Sequence, residues 1–75
     1  MRLQIFAEAH SLVVVGQAEI EKDAFARCYV DGARVALTRV EGVFTTLICA
    51  DGQRFHVMTD DWQVAQRMAG LRTPP

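Results

Sequence analysis

This sequence of 75 residues lacks long apolar segments, a set of paired cysteines and an excess of one charge. The aliphatic run at residues 12–15 is far too short to span a membrane, and residues 1–8 lack the uninterrupted apolar core of a signal peptide. The two cysteines do not make a disulfide framework. We therefore expect a cytoplasmic protein with reduced thiols and without a membrane partner.

The charged residues nearly cancel, with nine acidic and eight basic side chains and a formal net charge of -1. No long-range field would attract nucleic acid or anionic lipid, so any binding of that kind has to be local. Seven of the eight basic residues are arginine, but the acids outnumber them. Nucleic acid is therefore not the partner that the composition favours.

The sequence also lacks motifs that bind metals or phosphates. The histidines and cysteines, at positions 10, 56, 28 and 49, are too scattered to form a metal-ligand pair at standard spacing. Three of the five glycines fall in predicted turns, and the other two stand alone, so there is no glycine-rich phosphate loop. We expect neither a metal site nor a cofactor.

The size and composition of the chain predict one globular domain over residues 1–75. Hydrophobic residues make up 51% of the chain, which is too many for a disordered protein. A domain this short buries only about 60 to 65% of its unfolded surface. Some apolar surface should therefore stay exposed, which favours self-association.

Three glycines spaced ten residues apart dominate the middle of the sequence. Gly32, Gly42 and Gly52 each follow an acid, and Asp-Gly between apolar runs is a strong signal for a two-residue hairpin turn. Glu-Gly, at the middle turn, is a weaker signal. The three turns predict a four-stranded antiparallel meander over residues 24–58.

The amino-terminal part of the chain predicts a β-hairpin over residues 1–16. Leu3 and Ile5 alternate with polar residues, as in a half-buried strand, and residues 12–15 read as a strand covered on both faces. Residues 17–27 are ambiguous among strand, loop and helix. A strand extension followed by a loop is favoured over a short amphipathic helix.

The carboxy-terminal part predicts a helix over residues 60–70, with Asp60 as its cap and Gly70 as its stop, followed by a tail at 71–75. The small and apolar residues share one side of this helix: Trp62, Ala65, Met68 and Ala69. The predicted fold class is therefore α+β, an antiparallel meander of four to six strands with one carboxy-terminal helix packed on one face.

Two-residue loops at all three turns would fix which side chains share a face of the meander. One face is then nearly all apolar. The other, called here the predicted basic face, carries the five candidate binding residues Arg27, Tyr29, Arg34, Arg54 and His56, together with Cys49, Thr45 and Leu47. Cys28 and Cys49 would lie on opposite faces of non-adjacent strands and could not form a disulfide.

The predicted basic face has two interpretations. Arginine forks pair with phosphate and carboxylate, and aromatic rings stack on bases, so the face could bind anions or single-stranded nucleic acid. It could equally be the ordinary wet side of a sheet. A third hypothesis is a reactive thiol at Cys49, because Arg34 and Arg54 would flank it and lower the pKa of its thiol. A flat sheet face, however, offers no pocket or oxyanion donors.

The function that these patterns favour is a small cytoplasmic protein-interaction or regulatory module without catalytic activity. It would associate with itself or with a protein partner through a sheet edge or the predicted basic face, where Phe25, Leu47, Val40 and Val43 would be exposed. Anion or single-stranded nucleic-acid binding is the alternative.

Overall fold

A computed structural model describes residues 1–22, 27–68 and 70. Over these residues the elements are β1 (Arg2–Phe6), β2 (Val14–Lys22), β3 (Cys28–Val30), β4 (Ala33–Glu41), β5 (Phe44–Cys49), β6 (Arg54–Met58) and α1 (Thr59–Met68). Each strand pairs antiparallel with the next, and β6 returns to β1, so the sheet closes into a barrel. The predicted α+β class, with an antiparallel meander and one carboxy-terminal helix, is confirmed.

The first predicted turn has the predicted register. Asp31 and Gly32 both take positive φ values, 49° and 80°, as a primed two-residue turn requires. Tyr29 pairs with Arg34, and Val30 pairs with Ala33. This turn follows from local chemistry alone.

The middle turn is displaced by one residue. Glu41 pairs with Phe44, so the loop is Gly42-Val43, and the predicted Glu41-Gly42 loop is wrong. The reason is a tertiary contact: the Thr59 N–H donates to the Val43 carbonyl at 2.8 Å, and the Thr59 hydroxyl donates to the Gly42 carbonyl at 3.2 Å. The start of α1 therefore fastens this loop in place.

The third turn has three residues where two were predicted. The Cys49 N–H donates to the Gln53 carbonyl at 2.8 Å, and Gly52, with φ at 90°, closes the loop of residues 50–52. The Asp51 carboxylate accepts the Gln53 N–H at 3.0 Å and stabilises this longer form. Because strand side chains alternate, the slip changes which residues of β5 and β6 share a face, so Arg54 and His56 lie beside Ile48 and Thr46 and not, as predicted, beside Cys49 and Leu47.

The core fills the inside of the barrel beneath α1. Its buried members are Leu3, Ala18, Ile20, Val30, Leu47, Val57, Trp62 and Ala65. The helix contacts β1, β5 and β6, and the predicted burial of Trp62 and Ala65 is confirmed. Met68 is 72% exposed, so its predicted place on the packed side of the helix is wrong.

Three residues assigned to the predicted basic face are buried instead: Cys49, Thr45 and Leu47. Thr45 and Leu47 of β5 are both 0% exposed. They face the inside of the barrel because the register shift between Val35 and Leu37 reverses the side-chain alternation of β4, and the residues of β5 that pair beyond it follow. Val40 and Val43 are exposed, as predicted, whereas Phe25 and Ala69 lie outside the described residues.

The helix begins one residue earlier than predicted, at Thr59. The Thr59 hydroxyl lies 2.8 Å from the Thr45 hydroxyl, which ties the first turn of α1 to β5. Asp60 and Asp61 lie in that first turn, where their charge complements the helix dipole. Gly70 takes a φ of 76°, and its N–H donates to the Arg67 carbonyl at 3.1 Å.

The aliphatic run at residues 12–15 is exposed, and its predicted burial on both faces is wrong. Leu12, Val13, Val14 and Val15 expose 80%, 60%, 46% and 63% of their surfaces. The strand that contains the end of this run, β2, continues to Lys22, as the favoured strand extension predicted. Its partner β3 covers only residues 20–22, so the amino half of β2 pairs with β1 alone within the described residues.

Candidate functional site

Tyr29, Arg34, Arg54 and His56 all lie on the outer face of the barrel, because the residues that alternate with them are buried or pack against the core: Cys28, Val30, Ala33, Val35, Phe55 and Val57. Tyr29 and Arg34 are strand partners, and Arg27 lies just before β3. Arg54 and His56 pair instead with Ile48 and Thr46, on the outer face of β5 and β6. The slip at the third turn causes this change of partners for Arg54 and His56, because it moves β6 by one residue against β5.

Cys49 does not lie between arginines, and that prediction is wrong. Its partner on β4 is Val35, which packs against the core, and Cys49 itself is only 3% exposed. Burial, and then the nearby Asp51 carboxylate, raise the pKa of the Cys49 thiol. Cys49 is therefore a protonated core residue at neutral pH and a poor nucleophile.

Cys28 and Cys49 lie on the same face of the sheet, not on opposite faces as predicted. Cys28 packs against the core cluster, as does Val35, the strand partner of Cys49. Burial, followed by the neighbouring Cys49, raises the pKa of the Cys28 thiol to about 11. Both cysteines are free.

A groove crosses the outer face of β4, β5 and β6. Two rows of strand partners form it, Leu37 with Ile48 and Arg54, and Arg39 with Thr46 and His56. The groove, called here the outer groove, has a volume of about 490 Å³ and is lined by Ala9, Leu37, Thr38, Arg39, Glu41, Thr46, Ile48, Arg54 and His56.

The loop between β1 and β2 forms one wall of the outer groove. His10 Nε2 lies 3.2 Å from Glu41 Oε2, and the His10 ring packs edge-on against Phe44 with centroids 5.7 Å apart. Phe44 in turn packs edge-on against Phe6 at 5.5 Å. These contacts hold the loop beside Thr46, which is only 8% exposed although it faces outward.

The basic side chains of the outer groove differ in how they are held. Arg39 lies 3.8 Å from Glu41, in an exposed ion pair that contributes little to stability. Arg54 has no acidic partner within ion-pair distance among the described residues. His56 Nδ1 lies 2.9 Å from the Thr46 hydroxyl, so its Nε2 is the ring nitrogen left for other partners.

Sequence reasoning found Arg54 and His56 but missed Arg39. The displaced middle turn shifts β4 by two residues against β5 and so places Arg39 opposite Thr46. The slip at the third turn places His56 on the other side of Thr46, in the same row. The alternation of Leu37, Arg39 and Glu41 along one strand was a visible signal that these residues share a face. Which residues lie opposite them depends on the two turns.

A second surface is formed by the exposed residues 12–15 and the open edge of β2, called here the β2 edge. Residues 11–18 carry no charge. The Glu19 N–H donates to Asp31 Oδ1 at 2.8 Å, and the Glu19 carbonyl accepts the Asp31 N–H at 2.9 Å. Because backbone groups alternate along a strand, those of Gln17 point to the same side. No described residue pairs with them there.

Comparisons with family models, curated proteins and solved structures give no significant match to this chain. In residues 1–22, 27–68 and 70, no cluster of three or more histidine, cysteine, aspartate or glutamate side chains could hold a metal ion. In the same part of the chain, no helix has the length and apolar character needed to cross a membrane.

Proposed function

We propose that the protein is a small cytoplasmic interaction module without catalytic activity, and that two copies associate by antiparallel pairing of their β2 edges. The observation that carries the proposal is the β2 edge itself. It combines four consecutive exposed aliphatic residues with a strand segment whose outer edge pairs with none of the described residues. The cytoplasmic location rests on the sequence alone.

Exposed strand edges are normally protected against pairing by charged residues, proline or a bulge that twists the edge away. Residues 11–18 contain neither a charge nor a proline. The register shift pairs Ile5 with Gly16 and Phe6 with Val14, so Val15 is the extra residue of a bulge in β2, but beyond this bulge the backbone groups of Gln17 still face outward. An edge of this kind favours strand addition.

A second copy of the chain fits the β2 edge better than a charged partner does. Antiparallel pairing centred on Gly16 places Val15 opposite Gln17 and Val14 opposite Ala18, in a symmetric contact where each copy offers the same surface. No like charges meet across this pairing, because the paired residues are all neutral. Leu12 and Val13 extend the apolar surface that such a dimer would cover.

Sedimentation over a range of protein concentrations tests the proposal. We expect the mass to rise from one copy to two, and we expect Val15→Lys to keep the protein monomeric, because lysine places a charge at the pairing centre. The control is Val43→Lys, since Val43 and Val15 are both 63% exposed but Val43 lies in the loop between β4 and β5. This control should form dimers like the unmodified protein.

Two results would contradict the proposal. One is a monomer at every concentration up to the millimolar range. The other is an equal loss of dimer in Val15→Lys and Val43→Lys, which would place the interface elsewhere. Hydrogen exchange gives a second readout, because the Gln17 amide should become protected only as the dimer forms.

A further inference from the structure

We propose that the outer groove binds a phosphate monoester, with Arg39, Arg54 and His56 around the phosphate and Leu37 and Ile48 against the organic group. Its volume of about 490 Å³ lies within the range of about 300–1,000 Å³ that small-molecule sites occupy. The proposal is independent of self-association, because the β2 edge contributes no residue to the groove.

The strand register brings the three basic side chains together. Arg39 and His56 both pair with residues of β5 in the row that contains Thr46, which places their backbones about 10 Å apart. Arg54 lies two residues before His56 on the same face of β6, about 7 Å along the strand. Long arginine side chains on both sides of Thr46 can therefore reach one anion.

The charge distribution favours an anion at the β6 side of the outer groove. Of the described residues that line it, Glu41 alone is acidic, and its carboxylate is engaged by His10 at 3.2 Å and Arg39 at 3.8 Å. Arg54 has no acidic partner in the described part of the chain. An incoming anion would provide one.

His56 can donate a hydrogen bond from Nε2 when the Thr46 hydroxyl donates to its Nδ1. The Thr46 hydroxyl can donate to Nδ1 at 2.9 Å, which places the ring proton on Nε2. An Nε2–H and two guanidinium groups supply more donors than a single carboxylate accepts. They suit the three oxygens of a phosphate group.

The rest of the outer groove suits a small organic group. Leu37 is 61% exposed on the outer face of β4, directly opposite the half-buried Ile48. These two side chains give an apolar floor beside the basic residues, the combination typical of small-molecule sites. Three basic residues in one groove do not make the extended track that a nucleic-acid backbone needs.

Amide-shift titrations with a nucleoside monophosphate, the matching nucleoside and inorganic phosphate test the proposal. We expect the monophosphate to shift the amides of Thr46, Ile48, Arg54 and His56, and to bind more tightly than either of the other two compounds. Arg54→Gln should weaken binding at least about tenfold, because it removes a charged hydrogen-bond donor.

The control variant is Arg67→Gln, which makes the same charge change at an exposed position in the last turn of α1 and should leave binding unchanged. The double variant with Arg39→Gln and Arg54→Gln should lose less binding free energy than the sum of the losses in the two single variants, if one phosphate contacts both arginines. The proposal is overturned by amides that stay still at millimolar monophosphate. It is also overturned by equal affinity for the nucleoside, or for inorganic phosphate.

Discussion

Two segments of this protein show opposite relations between composition and burial. Residues 12–15 are wholly aliphatic, yet all four are exposed. The strand β5 includes two threonines, yet five of its six residues are buried, and the sixth is half-buried. The difference is in the neighbours: β5 pairs with β4 and β6, whereas the amino half of β2 pairs in the described structure only with β1.

Both faces of β5 are also covered by other side chains, unlike those of residues 12–15. Inside the barrel, Leu47 packs in the cluster that contains Trp62 and Ala65 of α1. Outside it, Phe44 packs against Phe6 and His10. A central strand is thus buried by its position, and an apolar strand segment at an open edge stays in solvent unless another molecule covers it.

A matched pair of leucines should show the largest effect. Leu47→Ala should lower the free energy of unfolding by about 2–5 kcal/mol, because Leu47 is 0% exposed and truncation leaves a cavity. Leu12→Ala, at a residue 80% exposed, should change it by less than about 0.5 kcal/mol. Urea denaturation at a concentration where the protein is monomeric gives both values. Equal losses would mean that residues 12–15 are packed within one copy.

A pair of threonines should show a smaller effect. Thr45→Val keeps the shape of a fully buried side chain but removes the 2.8 Å hydrogen bond to Thr59. It should lower the free energy of unfolding by about 1–3 kcal/mol. Thr38→Val, at an exposed position of β4, should be nearly neutral. A neutral Thr45→Val would show that the bond to Gly42 suffices to hold the start of α1.

The cysteines should give the smallest effect, visible at high pH. Because the pKa of the Cys28 thiol is raised from 9.0 to about 11 in the folded protein, the unfolded chain loses this proton first as the pH rises. The protonated Cys28 thiol should contribute fully to stability below pH 9. This contribution should be lost as the pH rises from 9 through about 11. Denaturation across this range should show a steeper loss for the unmodified protein than for Cys28→Ala. Parallel curves would contradict the raised pKa.

The candidate sites were only partly predictable. Arg54 and His56 were identified from the sequence, but they were predicted to lie beside Cys49 and Leu47, whereas the third turn places them beside Ile48 and Thr46. Arg39 entered the outer groove only through the displaced middle turn. A glycine marks where a turn lies, but Gly52 fits the last position of a three-residue loop as well as the second position of a two-residue loop. The face of the sheet on which each side chain lies depends on that difference of one residue.

The sequence by itself determined the strand-and-turn pattern, the Asp31-Gly32 hairpin and a carboxy-terminal helix with Trp62 and Ala65 on its packed side. Each of these follows from φ preferences or side-chain periodicity within a few residues, so no distant contact is needed. The tertiary structure decided the middle turn, through the hydrogen bonds of Thr59, and the closure of the barrel, through Phe6 and His56. It also decided which strand was buried, because burial depends on what packs against a strand and not on the strand's own residues.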